Sequence, residues 1–93
     1  MIRSIKGSQT EQIWAGLRSR HLPPDIQAAA LRKLRLIDAA YLLEDLKVPP
    51  GNHLKALVGD RNGQYSIRIN QQWRICFRWS GGGAEEVEIC DYH

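Results

Sequence analysis

Ninety-three residues are enough for one modest hydrophobic core and too few for a second, so the chain reads as a single module, residues 1–93. Hydrophobic content of 43% with 25% charged residues is ordinary globular composition; it excludes a disordered chain, and no apolar run is long enough to span a bilayer. A net charge of +3 suits a nucleic-acid surface without requiring one. Two cysteines, and no apolar signal segment at Met1-Ile2-Arg3, point to a reducing cytoplasm in which both thiols are free.

In chain order, Ile2 and Ile5 among polar residues suggest a short edge or central strand. Ser8 with Glu11 has capping-box spacing, which predicts a helix from Gln9 to about Arg20 with Ile13, Trp14 and Leu17 on its apolar stripe. Pro23-Pro24-Asp25 starts a second helix, since proline is tolerated in the first turn and an aspartate there favours the helix dipole. Its apolar stripe, Ile26, Ala30, Leu34, Ile37 and Tyr41, carries it to about Leu46, and Pro49-Pro50-Gly51-Asn52 ends the helical region. His53 to Val58 reads as a short or bulged strand anchored by Leu54 and Leu57, followed by a turn at Gly59 to Gly63. Tyr65, Ile67 and Ile69 alternate with polar residues in a clean strand, as do Trp73, Ile75, Phe77 and Trp79 in the next. Ser80 to Gly83 makes the last hairpin loop, and Glu86 to His93 forms the closing strand. The fold class is therefore α+β, two N-terminal helices packed on one face of a small antiparallel sheet.

Partners in an antiparallel pair keep a constant sum of residue numbers, so the helix-free face can be mapped. With Ile69 opposite Trp73, Arg68 faces Arg74, Ile67 faces Ile75 and Tyr65 faces Phe77. In the last hairpin Arg78 falls near Glu86, Cys76 near Glu88 and Arg74 near Cys90. Arg78 is then neutralised, whereas Arg68 beside Arg74 costs roughly 0.2–1 kcal/mol unless an anion lies over the pair. An RNA phosphate is one such anion. Continued pleating would bring Tyr92 to the same face as Arg74. Each feature also has a plain reading: arginines on a solvated face paired with Glu86 and Glu88, His53 a surface histidine, Asp91-Tyr92-His93 an inert end, and Trp14, Trp73 and Trp79 core residues. Cys76 and Cys90 lie diagonally on neighbouring strands, which disfavours a disulfide, and no metal-ligand spacing is present.

The run Pro49-Pro50-Gly51-Asn52, Leu54, Leu57, Gly59-Asp60-Arg61, Gly63 to Asn70, Trp73-Arg74-Ile75, Phe77, Trp79 and the closing Asp91-Tyr92-His93 resembles the HigB-type toxins of the RelE/ParE superfamily. The resemblance covers nearly the whole chain. It implies a RelE-like fold and a bacterial type II toxin: a ribosome-dependent messenger RNA endonuclease that works without a metal or other cofactor. Its partners would be a HigA-like helix-turn-helix antitoxin, the ribosome and messenger RNA, with operator DNA reached only through the antitoxin and no membrane involved. Carried over by residue, Arg74 matches the phosphate-binding arginine and Asp91, Tyr92 and His93 the terminal catalytic group. Lys55 joins the catalytic set at a position where some relatives have histidine or glutamate, and Arg68, His53 and Arg61 form the RNA-binding set. Val58 departs from the pattern, being lysine in many relatives. The alternatives are a ParE-like toxin that binds gyrase, and a degenerate relative that binds only antitoxin or ribosome.

Overall fold

The structure, a computed structural model, describes residues 1–91; Tyr92 and His93 lie outside the described residues. The first helix, α1, spans Ser8–Trp14 and follows Gly7 with no side-chain cap. The Ser8/Glu11 capping box is therefore not formed, because Ser8 lies one residue inside the helix. The helix also stops well short of Arg20. Gly16 adopts φ +83°, its N–H bonds to the carbonyl of Ile13 at 3.0 Å and that of Leu17 to Gln12 at 2.8 Å. This is the paired bonding of a Schellman end, for which glycine has no Cβ penalty. Leu17, expected on the apolar stripe, is consequently 63% exposed.

Helix α2 spans Pro24–Ala39, with proline in its first turn and Asp25 at the positive end of its dipole. Ile26, Ala30, Leu34 and Ile37 are buried, as their spacing predicts. Tyr41 does not continue the stripe and is 85% exposed. The helix ends because Asp45 captures the following backbone: its Oδ2 accepts the N–H groups of Tyr41 and Leu42, both at 3.0 Å. Residues Leu43–Lys47 then form a separate 3-10 turn that buries Leu46.

Four strands follow, β1 Lys55–Ala56, β2 Tyr65–Arg68, β3 Trp73–Ser80 and β4 Gly83–Asp91, in one antiparallel sheet ordered β1-β2-β3-β4. The β2/β3 register matches the constant-sum map from Tyr65↔Phe77 to Arg68↔Arg74. Between β3 and β4 the map holds from Arg74↔Cys90 to Cys76↔Glu88, then shifts by one so that Arg78 pairs with Glu85. Glu86, at φ +53°, takes up the extra residue of this bulge. It still receives Arg78, Nε to Oε2 at 2.8 Å. The hairpin loop is the pair Gly81-Gly82, both at positive φ, as a two-residue turn matched to strand twist requires. Ile2 and Ile5 form isolated parallel bridges to Ala84 and Val87 on the outer edge of β4.

One face of the sheet packs Ile67, Ile75, Phe77, Val87 and Ile89 against Ile13 of α1 and Ala30, Leu34 and Ile37 of α2, with Trp14, Trp73 and Trp79 packed at its margin. Each such side chain stabilises by ~1.5–3 kcal/mol when fully buried, so this face holds the fold together. The opposite face is not uniformly solvated. After two residues β1 gives way to Leu57, which turns over that face and forms a second small cluster with Cys76 and Cys90. Cys76, placed by alternation among the arginines, is thereby fully buried, and so is Ser66.

Candidate functional site

On the helix-free face the register sets Lys55, Ser66 and Cys76 in one row and Arg68 and Arg74 in the next. Arg74 does not extend into solvent. Its Nε donates to Ser66 Oγ at 2.7 Å, and its Nη2 donates to the His53 carbonyl at 2.6 Å and to that of Ser66 at 3.5 Å. Hydrogen bonds from a charged donor are about twice as strong as neutral ones, so these contacts fix the guanidinium plane. Arg68, its neighbour in register, is half-buried and donates from Nε to the Asn70 carbonyl at 3.0 Å. Two cations are thus held at one end of the face, and the side chains of His53 and Lys55, the latter paired with Ser66, are exposed.

The His53 carbonyl reaches Arg74 because His53 takes a left-handed conformation, φ +45°, after the 3-10 turn Pro50–Asn52. That turn is anchored from inside. Asn52 is fully buried; its Nδ2 donates to the carbonyls of Leu46 at 3.1 Å and Val48 at 3.3 Å, and its Oδ1 accepts from Lys33 Nζ on α2. Burial, and then the charge of Arg32, hold the Lys33 ammonium below its ordinary pKa. A buried side chain with its donors and acceptor satisfied makes a stiff support, since breaking any of these bonds costs a desolvated group its partner.

Arg61 lies on the same face but is engaged differently. Its Nη1 and Nη2 both donate to Glu88 Oε1 at 3.3 Å and Nη1 to Gln64 Oε1 at 3.1 Å, tying the turn Gly59–Arg61 down on the sheet. Under that turn both cysteines are free. Cys90 Sγ lies 3.3 Å from Glu88 Oε1, and its hydrogen bond with Cys76, followed by burial, pushes its pKa up, keeping this thiol protonated. Val58 points outward and is 79% exposed, so nothing at this position needs an apolar residue.

Asp91 is not brought beside Arg74. It stands opposite Trp73, whereas Cys90 stands opposite Arg74, so alternation turns Asp91 to the other face of the sheet. There its exposed carboxylate accepts from Gln72 Nε2 at 3.0 Å. The placement of Tyr92 on the arginine face falls outside the described residues. Among the described residues no group of three or more His, Cys, Asp or Glu is positioned to hold a metal ion. Sequence reading missed Ser66 and Asn52. Ser66 could have been noticed as the polar residue two positions before Arg68, on the same face and opposite Cys76, whereas Asn52 looked only like part of a helix-ending loop.

A family model described as "RelE-like toxin of type II toxin-antitoxin system HigB" matches residues 6–93. The chain belongs to the HigB-like toxin family. It is 45% identical to Toxin HigB-1 of Vibrio cholerae over 67 residues, 72% of this chain and 70% of that protein. It is also 42% identical to Endoribonuclease HigB of Proteus vulgaris over 40 residues, 43% of this chain and 44% of that one. A chain of the YoeB-YefM complex from Staphylococcus aureus superposes with a TM-score of 0.62 at 16% identity, covering 100% of this chain and 98% of that one. This HigB-like protein therefore has the RelE-like fold, and no helix among its described residues is long and apolar enough to cross a membrane.

Proposed function

We propose that this HigB-like toxin is a ribosome-dependent messenger RNA endonuclease that inhibits translation and is neutralised by a HigA-like antitoxin. The observation that carries the reading is the Arg74 guanidinium, held in a fixed plane on the helix-free face beside Arg68. In the proposed reaction the RNA 2′-oxygen attacks the adjacent phosphorus as the bond to the 5′-oxygen breaks. One proton leaves the 2′-hydroxyl to a base, and another is delivered to the departing oxygen. Arg74 binds the phosphate and meets the negative charge that grows on its oxygens, the stage at which a preset cation lowers the barrier most. Lys55 stands on β1 directly opposite Ser66 and adds charge to the same region.

The proton transfers are assigned to the chain end, to His93; Asp91, opposite Trp73 and turned from the arginine face, is left out of them. Histidine suits this work because its unperturbed pKa, about 6.5, lies near neutrality. Tyr92 is assigned to stacking on a base or positioning the phosphate. Arg68 and His53 are proposed RNA contacts at the rim of the site. Arg61, already paired with Glu88, is the proposed contact with the smallest share. The name of the Proteus vulgaris relative supports the endoribonuclease part of the reading, and the family description, a toxin of a type II toxin-antitoxin system, supports the antitoxin part.

The test is incubation of the purified protein with messenger RNA, with and without ribosomes. The reading expects cuts only with ribosomes, leaving the phosphate on the 2′,3′ side. Intact message together with blocked gyrase supercoiling would replace it with the gyrase-binding alternative.

A further inference from the structure

We propose that Ser66 and the main-chain carbonyl of His53 are the two jaws of a holder for the Arg74 guanidinium, which makes Ser66 a positioning residue for the phosphate step. The inference rests on the nuclease reading and adds to it the device that sets the cation's direction. Ser66 is a fully buried hydroxyl in the middle of β2, between Lys55 and Cys76 in register, so its place is set by the backbone ladder and not by solvent. Its Oγ takes the Nε edge of Arg74 at 2.7 Å, and the His53 carbonyl takes Nη2 at 2.6 Å. Two acceptors on different nitrogens of one planar group define its plane as well as its position.

The second jaw is as firmly built as the first. His53 is left-handed, and Asn52 before it is bonded to the carbonyls of Leu46 and Val48 and to Lys33. Helix α2 thus supports Arg74 through Asn52 and His53, which gives the Pro50–Asn52 turn a task beyond ending the helical region. Both jaws are neutral oxygens, which orient the cation and themselves carry no opposing charge. The carboxylates of Glu86 and Glu88 act differently on Arg78 and Arg61, each forming an ion pair.

The experiment compares the full chain with Ser66→Ala, Ser66→Thr and Arg74→Ala. Two quantities are read: kcat and KM for ribosome-dependent cleavage, and exchange with water of the Arg74 Nε–H in a nitrogen-edited NMR spectrum. Expected for Ser66→Ala are faster Nε–H exchange, a kcat reduced up to about 100-fold, the scale of a ~1 Å misplacement, and a nearly unchanged KM. Ser66→Thr, which keeps the hydroxyl, should restore both readings. Normal kcat in Ser66→Ala while Arg74→Ala is inactive would overturn the holder and leave the nuclease reading intact, whereas full activity in Arg74→Ala would overturn the reading itself. A fall in kcat with unchanged Nε–H exchange would make Ser66 merely structural and also overturn the holder. If Ser66→Ala does not fold, Ser66→Cys replaces it, with similar volume and only a weak acceptor.

Discussion

The two faces of the sheet are built from the same strands by opposite rules. Ile75 and Phe77 are fully buried in the cluster beneath the helices and make apolar contacts, which depend on volume and area rather than direction. One residue along, Arg74 is held at 2.7 and 2.6 Å by oxygens placed by β2 and by the Pro50–Asn52 turn. Alternation along β3 therefore sets apolar packing and directed polar bonding on neighbouring residues. The helix-free face is itself divided. Leu57, Cys76 and Cys90 close over its centre, and Arg61 pins the turn above them through Glu88. The cationic pair Arg68 and Arg74 occupies the end of the face nearest the Trp73 end of β3.

Substitutions on the two faces should change different measurements. The largest stability effect is expected on the helix side: Phe77→Ala should cost about 3–5 kcal/mol in chemical denaturation, the usual cost of emptying a buried aromatic site. Whatever cleavage remains would track the folded fraction. Deleting Tyr92 and His93 should have the reverse signature, with cleavage down about 100-fold or more from the loss of acid–base groups and the melting temperature little changed. Among the described residues the main core cluster runs no further than Ile89, and terminal residues contribute little unless docked. Loss of stability and cleavage together would make the tail structural.

Smaller effects sharpen the comparison. Asn52→Ala leaves two carbonyls and Lys33 without their amide partner, at a cost of about 1–3 kcal/mol, and should lower cleavage by loosening His53. A stability loss with undiminished cleavage per folded molecule would detach the turn from the site. Arg78→Ala should be the mildest. The Arg78–Glu86 pair is largely exposed, a class worth about 0.2–1 kcal/mol and weakened by salt, so denaturation midpoint and cleavage should both stay near those of the parent chain.

Periodicity carried most of the fold. The Ile26-Ala30-Leu34-Ile37 stripe and the alternation of β2 and β3 each repeat several times, and the constant-sum rule then placed Arg68 opposite Arg74 correctly. The misreadings came from single residues that override a pattern. Gly16 closes α1 early, Asp45 ends α2 by capturing two N–H groups, and Glu86 absorbs a bulge. Each is a local conformational choice with no periodic signature. The site was legible as a list of charged residues and not as an arrangement: that Arg74 reaches back to Ser66 and His53, and that Asp91 turns to the opposite face, depends on side-chain direction. Ser66 and Asn52 escaped notice because a buried polar residue looks in sequence like any loop or surface one.

The claim that the helix-free face does its chemistry through Arg74 is tested most directly by Arg74→Ala, with melting temperature and ribosome-dependent cleavage measured on the same preparation. The account predicts cleavage reduced about 100- to 1000-fold, the cost of removing one preset charge-stabilising donor. The accompanying loss of stability should be about 1–3 kcal/mol, since the buried Ser66 hydroxyl and the His53 carbonyl lose a charged donor. Cleavage at the parent rate by the folded variant would contradict it.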